Sequence, residues 1–288
     1  MLGKVFSHEI RPGAGWILLG LLFLLLAWQG QKNGISLRSG ALGIARTASR
    51  ERLLFQTRGY KTYETDHFII RYNDAVREQV SLVAEASEKA YGPVTRIFQR
   101  TPGAKTLVVL YKTPDSMGKS LGWDRDEQAM GVYWNGSIRV LDPAFWITNG
   151  DVRRRFLQEG PMAHEFAHLL VDQETHGNYP RWFTEGIAQY IEKKTTGFEF
   201  SPALQYNKPS MEYYDFATLE QRFDDLDTAT AYRESLAAVD VIADRYGEPS
   251  LFNMMRLLGQ GNTMEAAFYQ STGQSFDQFA LAFLESAD

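Results

Sequence analysis

Apolar and polar residues along the first half of the chain predict two strands and a long helix between them. Apolar side chains dominate residues 67–72 and 106–111, which is typical of strands. Residues 75–99 repeat apolar positions at helical spacing, and the Gly92-Pro93 pair is expected to kink or split that helix. Residues 113–129 are rich in turn formers, so we predict a long irregular stretch there.

The pattern changes around residue 143, and this change predicts the fold class. Asn135-Gly136 stands between two strand-like runs, a strong signal for a tight hairpin. Beyond residue 143 the apolar spacing is mainly helical to the end of the chain, and no internal repeat is present. A strand-rich first half followed by a helical second half predicts an α+β fold.

Residues 16–28 are uncharged and almost wholly apolar, which predicts an N-terminal transmembrane helix. No good small-residue cleavage site follows directly, so we favour an uncleaved single-pass anchor over a cleaved signal peptide. Cations behind the segment outnumber the two before it, contrary to a simple positive-inside count. We nevertheless expect the following domain to be extracytoplasmic, the usual arrangement for a lone N-terminal anchor.

Charge divides the chain into a basic front and an acidic body. Residues 1–61 hold nine of the 30 Lys and Arg but two of the 35 Asp and Glu, so the rest has a net charge of −12. An acidic body argues against nucleic-acid binding. Residues 41–60 combine helical apolar spacing with four arginines, which favours either a helix on an anionic bilayer or a solvated linker. We divide the chain into an anchor (1–30), a basic linker (31–61) and a catalytic domain (62–288).

The chain contains no cysteine, which limits the chemistry available to it. Disulfides, thiolate metal sites and cysteine nucleophiles are all excluded. Any metal must therefore bind to histidines and carboxylates. The length of 288 residues, 44% of them hydrophobic, is sufficient for one large core.

The run His164-Glu165-Phe166-Ala167-His168 is the candidate for metal chemistry. Residues four apart on a helix share one face, so both histidines can bind one zinc ion. Gly160-Pro161 before the run and His176-Gly177 after it predict the ends of that helix. The alternative is a pair of surface histidines on an amphipathic helix.

A hydrolytic zinc site needs a third protein ligand, and Glu185 is our choice. It lies 17 residues after the second histidine, on a second helix predicted to begin near Pro180. Asp172, Glu174 and His176 compete for the role. Asp172 is also a candidate to accept a hydrogen bond from one of the ligating imidazoles.

Residues 162–170 (MAHEFAHLL) followed by 181–190 (RWFTEGIAQY) resemble the gluzincin metallopeptidases, specifically the peptidase MA-like, thermolysin-related domains. The likeness extends loosely over residues 65–283. It implies a zincin fold, in which a twisted sheet packs on helices and a helical lobe closes the cleft. The third histidine of metzincins is absent, because Glu174 occupies its position.

Glu165 is expected to act as the general base and acid of the site. Tyr232 resembles the tyrosine that follows the third ligand in some gluzincins, which implies an oxyanion donor; the alternative is a core tyrosine. Arg181, Arg233 and His176 are weaker candidates for the same role. Residues 137–141 are a candidate edge strand for binding an extended peptide, with a plain sheet hairpin as the alternative.

These observations predict a membrane-anchored zinc metallopeptidase acting on peptide or protein substrates. Two other classes stay open: a membrane-tethered binding or scaffold module with a structural or inactive zinc site, and a hydrolase of non-peptidic amides or esters. An intramembrane protease is excluded, because acidic residues flank the histidine pair and no long apolar span contains it. Cleavage specificity and oligomeric state do not follow from the sequence.

Overall fold

A computed structural model describes residues 37–123, 129–199 and 213–285 of the chain, with residues 37–42 as backbone only. The predicted membrane segment at residues 16–28 lies outside this part. Across the described ranges, no helix combines the length and apolar character needed to span a bilayer.

The described residues form a mixed α+β structure that is mostly helical. Its strands are β1 Lys61–Glu64, β2 Phe68–Tyr72, β3 Thr106–Tyr111, β4 Gly131–Trp134 and β5 Ser137–Leu141. Its helices are α1 Leu37–Gln56, α2 Val80–Phe98, α3 Pro114–Leu121, α4 Pro143–Trp146, α5 Val152–Glu159, α6 Met162–Thr175, α7 Arg181–Thr196, α8 Phe216–Gln221, α9 Thr228–Tyr246, α10 Glu248–Gly259, α11 Met264–Thr272 and α12 Phe276–Glu285.

The strands form one sheet in the order β1-β2-β3-β5-β4. The three inner strands are parallel to one another, and β1 and β4 pair antiparallel at the two edges. Every residue of β3 and β5 is buried, as expected for central parallel strands covered on both faces. One face packs on the main helical core, and the other packs on Leu53 of α1 and Met117 of α3.

Several predicted elements are present in the structure. Strand β3 has the predicted bounds, and the hairpin turns at Asn135 (φ 46°) and Gly136 (φ 85°), both in the left-handed conformation that a two-residue turn requires. The helix predicted over 75–99 consists of a 3-10 turn at Asp74–Gln79 followed by α2. Pro93 lies inside α2 without splitting it, because the apolar face of this helix is buried in the core and offsets the lost hydrogen bond.

Two local predictions are wrong. The stretch predicted as irregular contains α3, whose first turn is closed by reciprocal hydrogen bonds between Thr113 and Ser116. Residues that favour turns also cap helices, so composition alone did not separate the two. Strand β5, predicted as a candidate edge, is an inner strand between β3 and β4, and the sheet edge nearest to helix α6 is β4.

The helical half is organised by the packing of α7 against both α6 and α9. Gly186 lies where α7 meets α9. A Cβ atom at this position would be 2.3 Å from the carbonyl oxygen of Ser235 and 2.6 Å from Cγ2 of Val239. Only glycine therefore allows the two backbones to approach this closely, and the contact fixes the position of α7 one residue after Glu185.

We expect Gly186→Ala to lower the free energy of unfolding by about 1–3 kcal/mol, because the added methyl group forces the two helices apart. Gly43→Ala on α1 is the matched control, since a Cβ there meets no atom within 4 Å. Urea denaturation followed by circular dichroism measures both. Equal midpoints for Gly186→Ala and the wild-type protein would contradict the close contact.

Candidate metal centre

Three side chains from two consecutive helices meet through their metal-binding atoms. His164 and His168 project from one face of α6, and their Nε2 atoms are 3.0 Å apart. Oε2 of Glu185, on α7, lies 3.3 Å from each of those nitrogens. Among the residues that the structure describes, these three are the His, Asp and Glu side chains whose donor atoms lie close enough together to hold one ion. We refer to them as the metal-binding trio.

The donor set fits a zinc ion. Zinc binds imidazole nitrogen and carboxylate oxygen at about 2.0–2.2 Å in a tetrahedron, which places neighbouring donors about 3.3–3.5 Å apart. The observed separations of 3.0–3.3 Å are close to that edge length. Oε2 of Glu185 is also buried and accepts no hydrogen bond from the described residues. A bound cation would compensate for the free-energy cost of burying this oxygen without a partner. Three protein ligands leave a fourth position open, as in catalytic zinc sites.

The second ring nitrogen of each histidine has a partner on α7. Nδ1 of His168 lies 2.8 Å from Oγ1 of Thr184, and Nδ1 of His164 lies 3.3 Å from Oε2 of Glu192. Such contacts fix the ring orientation and the tautomer, so that Nε2 faces the ion. The prediction that Asp172 has this role is wrong, because its carboxylate is directed to strand β4 and helix α1 instead.

Sequence analysis missed Thr184 and Glu192, although the helix period contains a signal for one of them. Glu192 follows Glu185 by seven residues, or two helical turns, and therefore lies on the same face of α7. Thr184 directly precedes Glu185, and its role follows only from the observed approach of α6 to α7.

Arg181 holds the other oxygen of Glu185. Arg181 lies one turn earlier on α7, and its Nε is 2.9 Å from Oε1 in an ion pair. Its guanidinium also hydrogen-bonds to Tyr232 on α9. Burial favours the protonated form of Glu185, but His168, His164 and this guanidinium hold the pKa of its carboxyl group well below the usual range. Glu185 is therefore ionised, as a metal ligand must be.

Glu165 adjoins the trio without belonging to it. Its carboxylate is 7% exposed, and Oε2 accepts a hydrogen bond from the backbone N–H of Tyr133 at 2.5 Å. Burial raises the pKa of Glu165, and the neighbouring histidines offset this only in part. A carboxyl group with a raised pKa can both accept and return a proton near neutral pH.

Strand β4 reaches Glu165 because residue 131 is glycine. A Cβ atom on Gly131 would lie 2.6 Å from Cβ of Pro161 and 3.0 Å from Cγ of Glu165. Any larger residue would push the edge strand away from the first turn of α6. This glycine therefore allows the N–H of the strand to contact the carboxylate.

Asp172 connects strand β4 to helix α1. One of its carboxylate oxygens accepts a hydrogen bond from the hydroxyl group of Tyr133, the residue whose N–H contacts Glu165. The other oxygen is 2.8 Å from Nη2 of Arg46, which also donates to the backbone carbonyl of Asp172 at 3.1 Å. The side chains of Arg46, Asp172 and Tyr133 thus connect α1 to the strand that positions Glu165.

The remaining candidates from the sequence lie elsewhere. Glu174 forms an ion pair with Arg100, and His176 ends α6 in the left-handed conformation at φ 53°. The guanidinium of Arg233 lies 5.5 Å above the ring of Tyr213. Glu174 and His176 are outside the described metal-binding trio, and Arg233, a candidate oxyanion donor, is not among the residues that line the cavity beside it.

A cavity of about 350 Å³ opens beside the metal-binding trio. His164, Glu165 and Tyr232 line it, together with Gln189 and Glu192. Burial raises the pKa of Tyr232 above the ordinary value for a tyrosine, so its phenol keeps its proton and remains a hydrogen-bond donor. The fold thus places the candidate metal ligand His164 and the two candidate catalytic side chains, Glu165 and Tyr232, around one cavity that is large enough for a ligand.

Comparison with known proteins gives a family match, one protein of similar sequence and one solved structure with a similar fold. A family model described as the Peptidase MA superfamily matches residues 106–283. The uncharacterized protein YhcO of Bacillus subtilis (strain 168) is 21% identical over 273 residues, which are 90% of this chain and 76% of that protein. Aminopeptidase A of Legionella pneumophila, solved in complex with aspartic acid, aligns at a TM-score of 0.48 and 14% identity over 78% of this chain. The aligned region is 27% of the aminopeptidase chain.

We expect the full-length protein, purified in detergent, to bind about one zinc ion per chain. Glu185→Ala should weaken zinc binding by more than about 100-fold, since changes to residues that only support metal ligands already cost 10–100-fold. Glu265→Ala, an exposed carboxylate on α11, is the control. Plasma mass spectrometry after dialysis measures the zinc content, and equal zinc in the two variants would remove Glu185 from the ligand set.

Proposed function

Because this chain belongs to the Peptidase MA superfamily, we propose that it is a gluzincin-type zinc metallopeptidase that hydrolyses peptide bonds. The observation that carries the proposal is the trio of His164, His168 and Glu185, whose donor atoms are 3.0–3.3 Å apart. Beside it lies the buried carboxylate of Glu165, which is not a ligand. A purely structural metal site has no need of Glu165. Its placement at the cavity therefore favours catalysis over a binding module.

The zinc ion would supply the Lewis acidity that polarises a carbonyl group and makes water acidic enough to attack it. Glu165 accepts a proton from the attacking water and transfers it to the leaving nitrogen. The N–H of Tyr133 holds one oxygen of that carboxylate in place. The histidines are held by Thr184 and Glu192, so the ligand atoms keep their directions while the substrate binds.

Tyr232 is proposed as the donor to the oxyanion that forms on the substrate carbonyl. It lines the cavity with Glu165, and burial keeps its phenol protonated. The hydrogen bond with Arg181 fixes its orientation and places a positive charge behind it. A donor that is oriented before the reaction stabilises the developing charge without reorganisation.

We further propose that residues 16–28 anchor the protein in a membrane and that the catalytic domain lies outside the cytoplasm. The support is the apolar, uncharged sequence of that segment. Peptides or proteins would be the substrates, and nucleic acid is not an expected partner because the body is acidic.

Glu165→Gln should abolish the hydrolysis of casein while leaving the zinc content unchanged, because the amide cannot accept the proton of water. Glu265→Gln, on the exposed surface of α11, should retain full activity. Release of fluorescent peptides from labelled casein measures the rate. Zinc-loaded wild-type protein that cleaves neither casein nor small peptides would favour the binding module, and cleavage of amide or ester compounds alone would favour the non-peptidic hydrolase.

Tyr232→Phe should lower kcat about 100–1,000-fold with little change in KM, because the lost hydroxyl group acts on the transition state. Tyr269→Phe is the control, since Tyr269 is 60% exposed on α11. Steady-state kinetics on one peptide substrate separates kcat from KM. A Tyr232→Phe protein with wild-type kcat would assign this tyrosine to the core alone.

A further inference from the structure

Helix α1 has one face against the protein and one face turned away from it. Leu53 is 1% exposed and packs under the sheet, and Arg46 makes the ion pair with Asp172. These two α1 residues are about two helical turns apart, so they share the face that meets the protein. Ile44 is about two and a half turns from Leu53 and therefore lies on the opposite face, which we name the outward face of α1.

The outward face carries large apolar side chains that are exposed to water. Ile44 is 73% exposed and Phe55 is 67% exposed, the two highest values among the large hydrophobic side chains that the structure describes. They are about three helical turns apart and so lie on the same face. Ala48 stands between them and is also exposed. Apolar side chains aligned in this way indicate a surface that meets another apolar phase.

Cations accompany the apolar residues of α1. Residues 43–60 contain four arginines and a single acidic residue, Glu51. One of the arginines is paired with α6, which leaves three cations against one carboxylate. Arg52 and Arg58 are exposed, and the guanidinium carbon of Arg58 lies 4.7 Å from the centroid of the Phe55 ring. The outward face is therefore apolar and has a positive net charge beside it.

Strand β4 adds an exposed aromatic residue on the side of the sheet that α1 covers. Val132 packs against the same apolar cluster as Leu53. Side chains two residues apart in a strand point to the same face, so Trp134 points to this side as well. Trp134 is 44% exposed. Tryptophan is enriched where a membrane meets water, so this ring suits the same kind of surface as the outward face.

Helix α1 begins only a short distance along the chain from the segment proposed as the membrane anchor. The apolar segment ends at residue 28, and α1 begins at Leu37. A chain extends at most about 3.6 Å per residue, so the start of α1 lies within about 32 Å of the end of that segment. An anchor at residues 16–28 therefore brings α1 to the bilayer surface.

The charge of the molecule favours an anionic bilayer as the partner of the outward face. Residues 62–288 have a net charge of −12, so anionic headgroups repel most of the protein. They attract the arginines of α1. Amphipathic helices of this kind place their apolar side chains at the boundary between headgroups and acyl chains. The same side of the molecule thus offers both the attraction and the apolar contact.

We propose that the outward face of α1 lies on the surface of an anionic bilayer. Ile44 and Phe55 enter the boundary between headgroups and acyl chains, and Arg52 and Arg58 contact lipid phosphates. This inference extends the proposed membrane anchor, on which it rests for bringing α1 to the bilayer. It selects the bilayer helix over the solvated linker, the two alternatives that the sequence leaves open for residues 41–60.

Single dyes on α1 test the contact with lipid. The chain contains no cysteine, so Ile44→Cys and Phe55→Cys each give one site for the environment-sensitive dye NBD on the full-length protein. We expect a blue shift, and loss of fluorescence to lipids spin-labelled near the headgroup, in nanodiscs of equal parts phosphatidylglycerol and phosphatidylcholine. Both effects should be smaller in phosphatidylcholine alone. Leu281→Cys, 63% exposed on α12, is the matched control and should show neither effect. Dyes on α1 that behave like the control overturn the proposal.

Removal of two cations tests the charge. Arg52→Gln combined with Arg58→Gln should abolish most of the quenching of the dye at position 44, and about 1 M salt should do the same by screening. Lys89→Gln combined with Arg154→Gln is the matched control, since it removes two exposed cations from α2 and α5 and should leave the quenching unchanged. Equal quenching in the two double variants overturns the proposed recognition of anionic lipid.

Two further outcomes separate the outward face from the anchor and from a protein partner. If size-exclusion chromatography shows that the full-length protein leaves the nanodiscs, the anchor fails. Quenching at position 44 by added anionic vesicles then still supports the outward face, and its absence overturns it. A blue shift that grows with protein concentration in detergent, without quenching by spin-labelled lipid, assigns this face to a second copy of the chain and overturns the proposal. None of these measurements depends on hydrolysis.

Discussion

Burial of ionisable side chains in the helical half is the constraint on which the rest of this structure depends. His164, His168 and Glu185 lie almost out of contact with water, where an uncompensated charge would cost several kcal/mol. Much of the compensation comes from neighbours on α7, above all Arg181 and Glu192. Helices α6 and α7 can hold such a group only if both are fixed in place, and the close contact with α9 fixes α7.

The parts of the fold and site that follow from sequence are those set by local periodicity. Strand β3 and the Asn135-Gly136 turn follow from apolar runs and from the left-handed conformation. The shared face of His164 and His168 follows from four-residue spacing on a helix. Glu185 lies on the predicted second helix, and the structure brings its oxygen to 3.3 Å from both imidazoles.

The parts that escaped prediction depend on contacts between residues far apart in the chain. The position of β5 inside the sheet follows from its pairing with β3, which no pattern within β5 encodes. Asp172 was expected to contact an imidazole one turn away, but its partners are Tyr133 and Arg46, 39 and 126 residues distant. Local spacing identifies which residues share a face, and it leaves open which neighbour that face meets.

The ion pair between Arg46 and Asp172 has a consequence for where the working unit of this protein begins. The predicted boundary at residue 62 assigns α1 to a linker, yet this helix buries Leu53 under the sheet and gives a cation to helix α6. Contacts that support the candidate site therefore cross that boundary. Arg46, Asp172 and Tyr133 form a chain of contacts from α1 to Glu165, so a segment outside the cleft is mechanically coupled to the proposed proton-transfer group.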